Sequence, residues 1–447
     1  VWPGCTLEDV PTAAFTTLGC KVNQYETQRI LDSFEQAGFS IVPFESPADV
    51  YVINTCSVTS IAESKSRYTI RRAIRSNPAA KVVVTGCAAQ MALNRRESVE
   101  GAHVVVPNPE KLATLEHFFR AFPGFESAAR RAAAAPQRPP TWISGRTRAT
   151  LKVQDGCSVL CSYCSIPFTR PGMTSRPADE ILAEAARMTA LGYREIVLTG
   201  VLIGAYGPET GSGGPTFEHL VELLAHTDGL ERLRISSIEL RHVTPRLIEL
   251  ISRGLVVPHL HIPLQSGDDQ VLADMNRPYR RADYLGVCRD LVAAVPEVSI
   301  TTDIMVGFPT ETEERFVSTV AVCEEVRYLK VHSFRYSPRF GTRSEALGDR
   351  VSPEEKQRRS QVLAQVSART GDAHRRRFLG QRMRVLVERK SPKDGLLEGL
   401  TDNYLEVRFA GPTNLVRNTA MVKLDACRDG VIYAELSGSR ASDIRVV

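Results

Sequence analysis

The sequence predicts an α/β protein in three parts: an N-terminal parallel-sheet α/β domain, a central partial (β/α)6 barrel, and a small C-terminal antiparallel β-barrel. Three observations predict it. From residue 13 to about 120, short apolar runs alternate with amphipathic helical stretches, the pattern of a parallel sheet clothed in helices. The alternation stops over an Ala-, Arg- and Pro-rich segment and resumes at Ala149. Past residue 379, helical periodicity yields to five short runs separated by Gly, Asp, Asn and Pro. The expected boundaries are 12–122 for the first part, 123–147 for a linker, 148–378 for the second part and 379–447 for the third.

Size and composition agree. A chain of 447 residues suggests about three domains. Its 43% hydrophobic content can build large cores. A net charge of +5 permits an acidic partner without demanding one. Ten cysteines in so long a chain do not suit a disulfide scaffold. No signal-type leader is evident, and no apolar run reaches the ~18 residues of a membrane span. The expectation is a reducing, cytoplasmic setting without membrane attachment.

In order along the first part, strands are expected at 13–17, 50–54, 81–85 and 104–106, with helices at 23–36, 58–75 and 111–119. Three of the strands run directly into a cysteine: Leu18-Gly19-Cys20, Thr55-Cys56 and Gly86-Cys87. Ligands collect at the carboxyl edge of such sheets. This topology therefore brings Cys20, Cys56 and Cys87 to one rim, where the flanking glycines let the backbone turn beside a bulky inorganic group. Three buried apolar thiols are the blander alternative. The rim is expected to hold an iron–sulfur cluster on three ligands, leaving one iron open.

The second part begins with a strand at 149–153, followed by Cys157-Ser158-Val159-Leu160-Cys161-Ser162-Tyr163-Cys164. Three thiolates at C-x3-C-x2-C spacing can hold three irons of a [4Fe–4S] cube. The fourth iron stays open to an amine and a carboxylate, such as methionine carries. Zinc is the alternative, but it wants four closed ligands, and no His or fourth Cys sits nearby. Further strands are expected at 195–199, 232–237, 259–262, 299–306 and 330–334, with helices between them, completing six β/α units. Active sites of barrels lie at the carboxyl ends of strands. Thr199, Gly200, Ser236, Ser237, Glu239, Gln265, Ser266 and Asp303 stand at those ends. Each could equally be a cap or loop hydrogen-bonding residue.

From Arg335 to Lys393 the net charge is about +10, and Ser352-Pro353-Glu354-Glu355 opens a long helix. A solvated helix face is the ordinary meaning of such a stretch. Leading straight into a small barrel, it is expected to be a polyanion track. Cys5, Cys288, Cys323 and Cys427 are assigned no role.

Several motifs now coincide. They are Thr17-Leu18-Gly19-Cys20-Lys21-Val22-Asn23-Gln24-Tyr25-Glu26, Asn54-Thr55-Cys56 and Thr85-Gly86-Cys87; the Cys157/Cys161/Cys164 loop; and His261-Ile262-Pro263-Leu264-Gln265-Ser266-Gly267 with Met275-Asn276-Arg277-Pro278-Tyr279 and Asp303-Ile304-Met305-Val306-Gly307-Phe308-Pro309. Together they resemble the radical S-adenosylmethionine (SAM) methylthiotransferase family over nearly the whole chain. The last part, with Thr401-Asp402-Asn403-Tyr404, looks like that family's TRAM domain. The resemblance implies two [4Fe–4S] clusters, on Cys20/Cys56/Cys87 and Cys157/Cys161/Cys164. It also implies SAM as both methyl donor and radical source; from their strand-end positions, two or three of Thr199, Gly200, Ser236, Glu239, Gln265 and Asp303 are expected to contact SAM.

Around Cys20 the sequence is most similar to the branch that methylthiolates N6-threonylcarbamoyladenosine beside the tRNA anticodon. The implied partners are the tRNA anticodon stem-loop and an electron donor such as a flavodoxin or ferredoxin, with the sulfur source left open. Methylthiolation of ribosomal protein S12, or of isopentenyladenosine in tRNA, are alternatives within the family. An RNA-binding iron–sulfur sensor without turnover is an alternative of another class.

Overall fold

The computed structural model describes residues 10–57, 60–133, 146–208 and 214–437. They form two compact units. The first comprises residues 10–133 with 156–158 and 164–173; the second comprises 146–155, 159–163 and everything described from 174 onward.

In the first unit, strands β1 (Thr12–Thr17), β2 (Ser40–Val42), β3 (Val50–Thr55), β4 (Lys81–Gly86) and β5 (Val104–Val105) form a parallel sheet in the order β2-β1-β3-β4-β5. Every residue of β3 is buried, as expected of a central strand covered on both faces. Helix α1 (Lys21–Gln36) buries Ile30, Leu31 and Phe34; α2 (Ser60–Ser76) and α3 (Cys87–Arg95) follow β3 and β4. Helix α3 was not expected, and it starts on Cys87 itself. Helix α4 (Thr114–Ala121) precedes another unexpected one.

The segment assigned to a linker opens with a helix, α5 (Pro123–Ala133). Its Phe125 packs on Phe118 and Phe39, with ring centroids 5.1 and 6.4 Å apart, and Ala129 is buried in the same cluster. Alanine-rich composition concealed it, since one aromatic ring and one alanine four residues on suffice to anchor it. The rest of that segment, 134–145, lies outside the described residues.

The second unit holds six parallel strands in the expected places: β6 (Arg148–Lys152), β9 (Glu195–Thr199), β10 (Arg232–Ile235), β11 (His259–His261), β12 (Ser299–Val306) and β13 (Lys330–Arg335). A small hairpin, β7 (Gln154–Asp155) with β8 (Thr174–Ser175), lies between the first two in sequence. Hydrogen bonding splits the six into β10-β9-β6 and β11-β12-β13, with a parallel bridge from Ser237 to His261 between them. The helices around them are α7 (Ala178–Ala190), α8 (Phe217–Ala225), α9 (Pro245–Ser252), α10 (Asp269–Asp274), α11 (Arg281–Ala294) and α12 (Glu313–Val326); the short α6 (Ile166–Thr169) belongs to the first unit.

Strands β14 (Arg382–Lys390), β15 (Leu397–Thr401), β16 (Glu406–Phe409), β17 (Thr419–Arg428) and β18 (Val431–Leu436) close into a barrel, β14-β15-β16-β18-β17. It is not wholly antiparallel: β16 and β18 run parallel. The long connection from β16 through β17 to β18 makes that pairing possible.

The small barrel docks on the amino-terminal ends of the large barrel's strands. Glu195, the first residue of β9, pairs with Arg234 at 2.7 Å and lies 2.8 Å from Arg232, both buried. Arg232 also donates to the carbonyls of Leu400 and Thr401 at 2.8 and 2.9 Å and lies 3.3 Å from Asp402. Tyr404 stacks on His259, centroids 4.2 Å apart. The Thr401-Asp402-Asn403-Tyr404 motif is thus a docking element.

Burial alone would raise the pKa of Glu195, but Arg234 and Arg232 outweigh it and hold the carboxyl below its ordinary range. The stability linked to this ionisation is present above about pH 4.3, the usual glutamate value, and is lost as pH falls through the depressed folded value. Glu195→Gln leaves two buried guanidiniums under-compensated and is expected to cost about 3–5 kcal/mol in chemical denaturation, losing that acid dependence as well.

The basic helix α13 (Pro353–Arg376) forms, with Ser352 capping it. Its arginines are largely neutralised in place. Arg358 pairs with Glu313 at 2.5 Å and Glu355 at 2.7 Å, Arg359 with Glu311 at 2.7 Å, Arg369 with Glu324, and Arg376 with Asp372 at 2.7 Å. The high formal charge of this stretch therefore overstates its pull on a polyanion.

Candidate functional site

Strands β1, β3 and β4 are neighbours, all parallel, and each delivers one cysteine at its carboxyl end. Cys20 occupies the N-cap position of α1, Cys56 directly follows Thr55, and Cys87 is the first residue of α3. Neighbouring strands stand about 4.8 Å apart, so adjacent strand ends bring their thiols within reach of one small group. Gly19, at φ +96°, makes the approach possible: a Cβ there would lie 2.7 Å from the Cys56 sulfur. Asn23 ties the rim together, donating to the carbonyls of Leu18 and Thr55 at 2.9 and 3.0 Å. The Asn108 amide points its Nδ2 at the Cys87 sulfur, 3.7 Å away.

Beneath this rim lies a buried charge cluster that the sequence analysis did not single out. Arg170 grips Glu26 with two bonds of 2.8 Å and reaches Asn23 Oδ1 at 2.9 Å. Lys111 donates to the same Glu26 carboxylate at 2.7 Å and lies 3.4 Å from Asn23 Oδ1. None of Glu26, Lys111 or Arg170 is more than 5% exposed. Cys20 is open at its surface, yet the protein packed around it raises its thiol pKa, with Arg170 acting in the opposite direction.

The C-x3-C-x2-C loop is shared between the units. Residues 156–158 and 164–173 belong to the first, and 159–163 to the second. Gly156, at φ +76°, admits the chain where a Cβ would meet the Gly172 carbonyl at 1.6 Å. Within the second unit, the Met275–Tyr279 motif holds the segment that carries Cys161. Ser162 N donates to the Met275 carbonyl at 2.9 Å, and the Asn276 amide donates to that of Leu160 at 3.0 Å. Arg277 directs one nitrogen at the Cys161 sulfur, 3.2 Å away, while pairing with Glu239 and contacting the Tyr279 hydroxyl at 2.9 Å. Burial pulls the Arg277 pKa down, but Tyr163, Tyr279, Glu239 and Cys161 together hold it well above the ordinary value. It is a permanent cation beside a thiol.

Among the strand-end candidates, Ser236 and Thr199 bring their hydroxyls to 3.5 Å, and Gly200 packs against Gln154. Glu239 faces Arg277, so its carboxylate serves the Cys161 side of the site. Gln265 adopts a left-handed backbone at φ +67°, costly for a non-glycine residue and pinned by bonds to the backbone of Asp303 and Met305. Asp303 lies 3.3 Å from His261, whose other ring nitrogen meets Thr301 at 3.0 Å; His332 is paired opposite Asp303 on β13. This gives one face of the large barrel a carboxylate and two imidazoles. Ser266 is buried and bonded within its own turn and toward Thr319.

The donor chemistry fits iron–sulfur groups. Each set offers three thiols, soft donors suited to iron–sulfur groups, and each has an N–H donor aimed at one sulfur. Among the described residues no three Cys, His, Asp or Glu side chains converge tightly enough to grip a single ion. A cube spreads its thiolates over separate irons and makes no such demand. Cys288 and Cys323 differ in kind: burial pushes both thiols up to about 12, which keeps them protonated and inert. Cys5 lies outside the described residues.

Residues 12–106 match the uncharacterized protein family UPF0004, and residues 151–323 match the radical SAM superfamily. The chain is 36% identical to the threonylcarbamoyladenosine tRNA methylthiotransferase MtaB of Bacillus subtilis, over 92% of this chain and 93% of that one. It is also 36% identical to the tRNA-2-methylthio-N(6)-dimethylallyladenosine synthase of Pelobacter propionicus, over 90% and 93%. Among solved structures it resembles the radical SAM methyltransferase TsrM of Kitasatospora setae, with a TM-score of 0.51 and 15% identity over 72% of each chain, a likeness of fold alone.

Proposed function

The chain belongs to the radical SAM methylthiotransferase family, and on that premise we propose that it converts N6-threonylcarbamoyladenosine at tRNA position 37, beside the anticodon, to the 2-methylthio derivative. The observation that carries this reading is the pair of three-thiol sets, one at adjacent strand ends and one on the C-x3-C-x2-C loop. Cys20, Cys56 and Cys87 would hold one [4Fe–4S] cluster, and Cys157, Cys161 and Cys164 a second beside SAM. When bound, these groups and SAM supply the sulfur, the methyl group and the radical chemistry that replaces the adenine C2 hydrogen.

The chain's own residues provide position and charge. Arg277 directs one nitrogen at the Cys161 sulfur, and Asn108 its amide at that of Cys87, so each set has a donor that would orient one ligand. Thr199, Ser236, Gln265 and Asp303 line strand ends where the polar groups of SAM would be met. The target base has to leave the anticodon-loop stack to be reached. Electrons come from a flavodoxin- or ferredoxin-type donor, and the setting is the cytoplasm; no helix among the described residues is long and apolar enough to cross a membrane.

The phosphates of the tRNA need cations that are not already paired. Helix α2, which follows Cys56, exposes Lys65, Arg67, Tyr68 and Arg75, and none of these cations has an acidic partner among the described residues. Lys65→Glu combined with Arg67→Glu is expected to weaken tRNA binding and reduce the salt slope of log K by roughly 2. Arg369→Glu, on the self-paired helix, should leave the slope nearly unchanged. Equal effects from both would remove α2 from the RNA footprint.

The function is tested by nucleoside mass spectrometry of tRNA from a strain lacking the gene, before and after complementation. Restoration of 2-methylthio-N6-threonylcarbamoyladenosine is expected. Restoration instead of modified S12 or of methylthiolated isopentenyladenosine would move the enzyme to another branch. Absence of 5′-deoxyadenosine from an anaerobic incubation with SAM and reductant would make the protein a sensor.

A further inference from the structure

We infer that Lys111 tunes the N-terminal thiol site: its buried ammonium places positive charge against the sulfur ligands and raises the reduction potential of the iron–sulfur group held there. The inference rests on reading Cys20, Cys56 and Cys87 as that group's ligands.

One carboxylate serves two cations. Glu26 accepts both bonds of the Arg170 fork and the Lys111 ammonium, all at 2.7–2.8 Å, and among the described residues Lys111 has the neutral Asn23 Oδ1 besides, at 3.4 Å. Lys111 is 2% exposed, so water does little to spread its charge. A buried ammonium that shares its counter-ion is costly unless another negative group lies near. Thiolates holding a cluster at the rim would be that group: Asn23, whose Oδ1 Lys111 meets, donates to the carbonyls of Leu18 and Thr55 beside Cys20 and Cys56. Burial holds the Lys111 pKa below its ordinary range, with Arg170 acting in the same direction and Glu26 and Cys87 against it.

The backbone points the same way. Lys111 and Asn108 sit on one 3-10 turn, Asn108–Ala113, which thus sends an ammonium beneath the rim and an amide N–H to the Cys87 sulfur. Net charge and hydrogen bonds to the sulfurs are among the contributions that set cluster potentials. Glu26, on α1 six residues past Cys20, is the opposing charge. Lys111 is a positioning residue in this scheme; it touches no reacting atom.

The sign of the effect separates tuning from mere support. In the Cys161→Ala background only the N-terminal group remains, and its midpoint potential can be followed by EPR-monitored titration. Lys111→Met should lower the potential, Glu26→Gln should raise it, and Lys111→Arg should stay close to the parent. Shifts in the same direction, equal loss of iron from Lys111→Met and Glu26→Gln, or unmoved potentials with iron retained would each overturn the inference while leaving the ligand reading intact. A Cys161→Ala parent devoid of iron would sink the ligand reading itself, and the inference with it.

Discussion

Cys87→Ala is expected to cleave SAM at close to the parent rate while losing methylthio transfer to tRNA almost completely. Its iron content should fall from about eight to about four per chain, the difference between two cubes and one. The substitution is mild for the fold. Cys87 opens α3, where alanine is a good helix former, and Ala88 and Ala89 already follow it. What disappears is one of the three thiols at the carboxyl ends of β1, β3 and β4, and with it the sulfur toward which Asn108 points. The C-x3-C-x2-C loop keeps all its own donors. Product formation by Cys87→Ala at the parent level would show that the rim thiols are structural.

Cys161→Ala should lose both activities: no 5′-deoxyadenosine and no methylthiolated nucleoside, with about four irons remaining. The loop around it has reasons to stay folded. Ser162 is held by the backbone of Met275 and Asp274, and Leu160 by Asn276. Arg277 keeps Glu239 and Tyr279 as partners once the sulfur is gone. A folded, half-loaded protein is therefore the expected product, inert toward SAM. SAM cleavage surviving in this variant would place the radical chemistry elsewhere. The two variants together discriminate, since loss of activity by general unfolding would abolish both reactions in both proteins.

Much of this site was open to inspection in the residues alone. An apolar run ending in Gly-Cys or Thr-Cys announces a strand end with a cysteine on it, and the C-x3-C-x2-C loop stands out by its spacing. The misses share a cause. Helix α5 rests on Phe125 and Ala129 meeting Phe39 and Phe118, partners that its alanine-rich sequence does not advertise. The arginines of α13 looked available for RNA because Glu311, Glu313 and Glu324, which pair with them, lie some 45 residues earlier in the chain. Arg277 was visible as part of a motif but had no assigned duty until its nitrogen was found beside Cys161.

The sequence by itself determined the six thiols, the alternation of strands and helices that places three of them on one sheet edge, and the family to which these motifs point. All of these depend on local periodicity and spacing, which neighbouring residues impose on one another. Only the tertiary structure decided which charges meet. Glu26 with Arg170, 144 residues apart, Lys111 with Glu26, 85 apart, and Arg232 with the Leu400 carbonyl, 168 apart, are joined by the folding of the chain. Long-range ion pairing depends on where whole elements come to rest, and no short stretch of residues carries that information.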